Sequence, residues 1–243
     1  MKFTLTGSIV VVGTALLSTA CAGGSGGGSA KTGEPLNIPR CGPEGLIEDG
    51  EDGDNKVLEQ DGRAGYWYTA IDNDGTTVEP QAGAMGGTFA MRAGGSNGSG
   101  FAACMKGTVA EGGASPFAVM GMNFVDPKGP YDATKYGGVA FWAKKGKDTE
   151  SKVRLKIPDV NTDPEGGVCQ ACFNDFGMDL ELTEDWTEYV LMWPDAKQLP
   201  YWGNPRPDAI SADKLYGLQW QVNKRTATFD VCVDDIAFVG CGG

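Results

Sequence analysis

The chain has 243 residues, of which 38 are glycine and none is histidine, and it carries a formal charge of −12. Without histidine it can build neither a Ser-His-Asp or Cys-His nucleophile system nor an imidazole-based zinc or copper site. The acidic balance excludes the basic stripe that a nucleic-acid backbone demands. Glycine at this frequency, without a collagen period, indicates a fold rich in turns.

Residues 1–20 place Lys2 ahead of an apolar run from Ile9 to Leu17. That run is too short to span a bilayer and reads as the h-region of a signal peptide. The segment Ser18-Thr19-Ala20-Cys21 resembles a bacterial lipobox, with Ser18 where leucine is usual and Leu17 one place further back. The resemblance implies that Cys21 is lipidated. Ala22 after it, rather than an aspartate, implies the outer membrane of a bacterial cell envelope. Membrane contact is then expected through the lipid anchor alone. Residues 21–40 are rich in Gly and Ser and read as a flexible tether. One domain is expected over residues 41–243.

Six cysteines remain, and an even number in an exported chain implies three disulfides among fifteen possible pairings. Cys41 and Cys241 bracket the domain and would join its ends; Cys169 and Cys172 form a local CQAC; Cys104 and Cys232 are left for each other. A redox role for CQAC lacks the surrounding βαβ pattern. A metal role lacks a second pair of similar spacing.

From Cys41 onward the chain alternates short β-like runs with Gly, Pro, Asn and Asp clusters. In order they are GLIED, GYWYTAI, GTFAMRA, FAACMKG, FAVMGMNF, GVAFWAKK, KVRLKIPD, GMDLELT, TEYVLMW, YGLQWQV and ATFDVCVDDIAFV. None sustains a 3.6-residue apolar period, although ISADKLYG (210–217) is compatible with one helical turn. Many short strands at regular spacing predict an all-β antiparallel sandwich or barrel.

Strand alternation then sorts the side chains by face. Trp67 and Ile71 point one way, Tyr66 and Tyr68 the other; Phe141 opposes Trp142; Leu155 opposes Arg154 and Lys156; Trp220 opposes Gln219 and Gln221. Trp67, Phe141 and Trp220 are expected in the core. The opposite set suits a carbohydrate: Tyr66, Tyr68 and Trp142 would stack on pyranose faces, and Arg154, Gln219 and Gln221 would hydrogen-bond hydroxyls. Asp179 and Glu181 share a face and would be the acid and base of a glycoside hydrolase or lyase. Such an i, i+2 pair is commonplace and no nucleophile motif accompanies it, so no enzyme is expected. Asn97 heads an NGS sequon, which is expected to stay unmodified on a bacterial lipoprotein. The acidic stretches LIEDGEDGD and CVDDIAF, at opposite ends of the domain, are candidates for a hard-cation site if the termini meet.

LIEDGEDGD, GRAGYWYTAIDNDGT, YDATKYGGVAFWAK, LTEDWTEYVLMW and FDVCVDDIAFV together resemble the galactose-binding-like jelly rolls, and among them the family-11-type carbohydrate-binding modules. The resemblance spans most of residues 46–239. It implies a jelly-roll β-sandwich whose concave sheet binds a polysaccharide without cleaving it, with Tyr66 and Tyr68 on that face. It also implies a structural Ca2+ near the joined termini, at Asp49, Glu51, Asp234 and Asp235. The chain departs from the pattern in the insert DPEGGVCQACFNDFG. The second expectation, from a different class, is a structural or adhesive surface protein that contacts an envelope protein through the same sandwich.

Overall fold

A computed structural model describes residues 38–83 and 89–241. The signal peptide, the lipidation site Cys21 and all but the last three residues of the tether lie outside them. Among the described residues, twelve strands form two antiparallel sheets. They are β1 (Leu46–Glu48), β2 (Trp67–Ile71), β3 (Thr77–Glu79), β4 (Arg92–Ala93), β5 (Phe101–Thr108), β6 (Ala118–Asn123), β7 (Gly138–Lys145), β8 (Lys152–Ile157), β9 (Phe176–Glu181), β10 (Thr187–Met192), β11 (Gly217–Val222) and β12 (Thr228–Val239). One sheet runs β10-β7-β12-β5-β3, with β1 added to β12 and β4 to β5; the other runs β2-β6-β11-β8-β9. The protein is an all-β sandwich of the jelly-roll class, as the strand spacing and the resemblance imply.

The period-2 apolar faces of the two sheets meet in one core. Trp67 and Trp220 are fully buried and stack with ring centroids 5.9 Å apart; Phe89 lies 5.4 Å from Trp67, and Phe141 meets Trp220 edge-on at 5.3 Å. These contacts sew β2 and β11 of one sheet to β7 of the other. Strand β12 supplies Val231 and Val233, then Ile236 and Phe238, a switch from odd to even inward positions. A bulge between Asp234 and Ala237, with Asp235 at φ 52°, accounts for the switch, because one extra residue inverts the parity of everything after it.

Three disulfides, Cys41–Cys241, Cys104–Cys232 and Cys169–Cys172, join the termini, the neighbouring strands β5 and β12, and one loop. Arg40, assigned to the tether by composition, belongs to the fold: it bridges to Val239 and pairs with Glu188 at 3.0 Å. Strand β3 escapes sequence reading because Thr-Val-Glu is too short to show alternation. Of GTFAMRA, only Arg92–Ala93 is strand among the described residues. Residues 210–217 make a turn instead of a helix, with Lys214 N donating to Ser211 O at 3.0 Å and Leu215 bridging to Tyr131.

One buried acid has a measurable consequence. Glu48 closes β1 at 2 % exposure, accepting from Gly50 N at 2.7 Å and lying 3.5 Å from Trp67 Nε1. Burial pushes its carboxyl from 4.5 up to about 8; the Gly50 hydrogen bond opposes the rise, and the charges of Asp52 and Asp49 add to it. A raised carboxyl pKa means that the native state holds a proton the unfolded chain has released. The stability it confers is therefore complete below about 4.5 and lost as pH rises through about 8. Urea melts across that range are expected to show falling stability in the wild type and a flatter profile in Glu48→Gln. Parallel profiles would place the titration elsewhere.

Candidate functional site

The outward face of the five-stranded sheet carries side chains in transverse rows. Tyr68 on β2 aligns with Gly121 on β6, Gln219 on β11, Lys156 on β8 and Gly177 on β9. The next row holds Ala70, Val119, Gln221, Arg154 and Asp179. On the other side of the first row, Tyr66 sits beside Asn123, whose N–H donates to Tyr66 O at 3.1 Å. Tyr66, Tyr68, Gln219, Gln221 and Arg154 all line one groove of about 990 Å³. In the run Tyr66-Trp67-Tyr68 the tryptophan fills the core, and both tyrosines face the groove.

Gly121 explains the pose of Tyr68. A Cβ on Gly121 would lie 2.8 Å from both Cζ and the hydroxyl of Tyr68, so the ring lies across β6 where a side chain is missing. Its hydroxyl reaches β11 and accepts from Gln219 Nε2 at 2.8 Å. Burial raises the Tyr68 phenol well above its ordinary value, and the Gln219 hydrogen bond only partly offsets this. The phenol is a neutral donor at every physiological pH, and the ring presents a flat, fixed surface.

The basic side chains that line the groove are all engaged. Arg154 holds Asp179 at 2.9 Å and donates to Lys197 O at 2.7 Å; Lys156 pairs with Asp175 at 2.9 Å; Lys128 pairs with Asp163 at 2.6 Å. Arg225 is spent on the carbonyls of Glu111, Gly112 and Gly113 at 2.6–2.9 Å, holding the loop that carries Phe117 into the groove. Asp175 is almost wholly buried, and its Oδ1 has no hydrogen-bond partner among the described residues.

The structure separates Trp142 from this set. Trp142 lies on β7, opposite Glu188 of β10 and Asp234 of β12, on the outer face of the other sheet. Alternation distinguishes inward from outward, and a sandwich has two outward faces; parity alone could not say which. Conversely, sequence reading offers no signal for Phe173, Asn174, Asp175 and Trp202, which line the groove from loops that have no period to read, while Phe117 heads the FAVMGMNF run without being singled out. Lys156, legible as an outward residue of β8, also lines the groove.

The other expected sites dissolve into local structure. Asp179 stands on the edge strand β9 with its side chain 77 % exposed and is held by Arg154, while Glu181 accepts from Ser151 Oγ. Neither lines the groove. The four carboxylates proposed for calcium do not fit an ion as arranged. Asp49 accepts from Glu51 N at 3.1 Å; Glu51 takes Ser99 Oγ at 2.7 Å and Phe101 N at 2.9 Å. Asp234 accepts from Ser96 N at 2.6 Å and Asp235 N at 2.7 Å, and the Arg40 guanidinium sits 3.3 Å from Asp235. A cation would have to displace a guanidinium and several backbone donors. Among the described residues, no group of three or more Asp, Glu, Cys or His side chains converges on one point.

A solution structure of CtCBM11 superposes with a TM-score of 0.51 at 13 % identity, covering 84 % of this chain and 99 % of that one. A crystal structure of a family 30 carbohydrate-binding module gives 0.51 at 12 % identity, covering 78 % and 96 %. The fold is that of the carbohydrate-binding modules. A family 11 module from a cellulosomal cellulase of Clostridium thermocellum gives 0.49 at 11 % identity over 81 % and 94 %. No protein-family profile matches the chain, and no curated protein matches it significantly. At such identities the likeness establishes the sandwich; the ligand has to be argued from the groove.

Proposed function

We propose that this protein binds a neutral polysaccharide, without cleaving it, along the concave face of its five-stranded sheet. The observation that carries the reading is the groove in which Tyr66 and Tyr68 form a platform beside Gln219, Gln221 and Arg154. A pyranose offers an apolar C–H face to an aromatic ring and a rim of hydroxyls to amide and guanidinium groups. An apolar floor with a few placed polar groups is the general form of such a site. Neutrality of the ligand follows from the pairing of Arg154, Lys156 and Lys128 with Asp179, Asp175 and Asp163. An anionic chain would have to break those pairs to find a counter-charge. The exposure of Asp179, together with the absence of Asp179 and Glu181 from the groove, supports binding over hydrolysis. The same proposal puts the domain on a lipid anchor at Cys21 in the cell envelope, supported by the sequence alone and checked by fractionation with outer membranes.

A glycan array, followed by affinity electrophoresis on soluble polysaccharides, tests the reading. Retention by neutral glycans, with weaker retention by uronic-acid polymers, is the expected result. A folded, fully oxidised sample that is retained by no glycan would overturn it.

A further inference from the structure

Five large apolar side chains are exposed among the described residues: Phe101, Val168, Phe173, Tyr201 and Trp202. All but Phe101 lie in two adjoining loops, one between β8 and β9 and the other between β10 and β11. Phe173 is 57 % exposed and Trp202 44 %, and both line the same groove as the two tyrosines. Exposed aromatic rings concentrated at one site, instead of scattered singly, mark a contact surface.

The loops that carry these rings are braced. Asn174 Nδ2 donates to Leu199 O at 2.9 Å and to Trp202 O at 2.6 Å, while its Oδ1 accepts from Leu199 N at 3.0 Å. Gln170 N donates to Asn204 O at 2.8 Å, and Asn204 Nδ2 returns to Gln170 Oε1 at 2.9 Å. The Cys169–Cys172 disulfide closes the first loop immediately before Phe173. Phe173 and Tyr201 both hold left-handed backbone, at φ 72° and 73°. Aromatic residues rarely adopt that region and keep it only where the surroundings over-determine it. The Phe173 N–H donates to Thr162 O at 2.8 Å, which adds to that bracing. Holding the rings still before a ligand arrives removes ordering entropy from binding.

The braced loops meet the sheet where Lys156 holds Asp175, in the row that begins with Tyr68. From these placements we infer that Phe173 and Trp202 form a second aromatic subsite, which takes further sugar units of a chain already seated on Tyr66 and Tyr68. The inference rests on the proposed carbohydrate function and adds that recognition depends on chain length. The disulfide insert, foreign to the sandwich core, is the element that extends the groove.

Calorimetric titration with a ladder of neutral gluco-oligosaccharides, from disaccharide to hexasaccharide, tests it on the full domain. Wild-type affinity is expected to rise along the ladder. Phe173→Ala with Trp202→Ala should bind the shortest ligand as wild type does and lose about 10-fold on the longest, the range for removing aromatic contacts at an interface. Phe173→Tyr with Trp202→Tyr should keep most of the length dependence. Unaltered affinity of the alanine variant at every length would overturn the subsite. So would an equal loss at every length, which would place the rings in the primary site. Self-association that is lost in the alanine variant while affinity stays intact would assign the patch to a second copy of the chain. A wild type that binds no glycan on the ladder or on the array defeats the groove reading itself, and the subsite with it.

Discussion

Replacing Tyr66 and Tyr68 together with alanine is expected to weaken glycan binding by about 100-fold or more, which abolishes retention in affinity electrophoresis. Buried aromatic anchors each supply on the order of 2 kcal/mol at an interface, and every 1.4 kcal/mol is tenfold. Both rings are half-buried on the groove face, and neither joins the Trp67–Trp220 stack beneath them. The fold should therefore survive. Loss of the Tyr68 contact with Gly121 should cost about 1 kcal/mol, a few degrees of melting temperature for a domain of this size. Gly121→Val makes the complementary case. It leaves both tyrosines in the chain but places a side chain where the Tyr68 ring now lies. Binding should fall nearly as far as in the double alanine variant, and Tyr68→Ala should add little on the Gly121→Val background. Full additivity would mean that Tyr68 does not act through the pose seen here. A collapse of melting temperature in the tyrosine variants would mean that the rings hold the core together.

The largest effect on stability is expected at Arg63. Its guanidinium is fully buried, a position that composition gives no reason to anticipate. It donates to Glu44 O and Leu46 O, both at 2.8 Å, and to the Tyr131 hydroxyl at 2.8 Å, and it lies 3.3 Å from Asp61. The rings of Tyr131 and Phe238 lie 5.5 and 5.4 Å from it. Asp61 is the hub on the other side, accepting from Tyr131, Tyr136 and Lys135, each at 2.6 Å. Burial alone would push the Asp61 carboxyl up, but the hydrogen bonds from Lys135, Tyr131 and Tyr136 hold it down at about 2. Arg63→Ala removes the donor shared by Glu44 O, Leu46 O and the Tyr131 hydroxyl, takes the buried cation from beside Asp61 and leaves a cavity in its place. Losing three buried hydrogen bonds and the packing of the guanidinium costs about 3 kcal/mol or more, several degrees in melting temperature. Arg63→Lys should recover less than half, since an ammonium cannot make the planar, forked set of bonds. The pH dependence has a definite sign: the Asp61 contribution is present above the ordinary carboxylate range and lost as pH falls toward about 2. Urea melts of wild type and Arg63→Ala at neutral and acid pH check both points. A loss below about 1 kcal/mol would show that the network is dispensable.

The two variants probe layers that the sequence reveals unequally. Period-2 alternation determined that Trp67, Phe141 and Trp220 face inward and that Tyr66, Tyr68, Gln219, Gln221 and Arg154 face outward, because a pleated strand admits only two directions. Turn residues at regular spacing determined an antiparallel all-β class. The arithmetic of even cysteines pointed to three bridges. Alternation has no term for which sheet a strand joins, and so Trp142 was grouped with a surface on the far side of the sandwich. Acidic residues brought together by joined termini looked like a cation site, yet tertiary placement of Arg40 and of the Ser96–Phe101 segment gave those carboxylates other partners. Parity after the Asp234–Ala237 bulge, the buried Arg63, and the loop rings Phe173 and Trp202 were decided by tertiary structure alone. Local sequence dictates the direction of a side chain within its own strand. Which strands become neighbours, and which loops close over them, is set by long-range pairing and packing, where no local period is written.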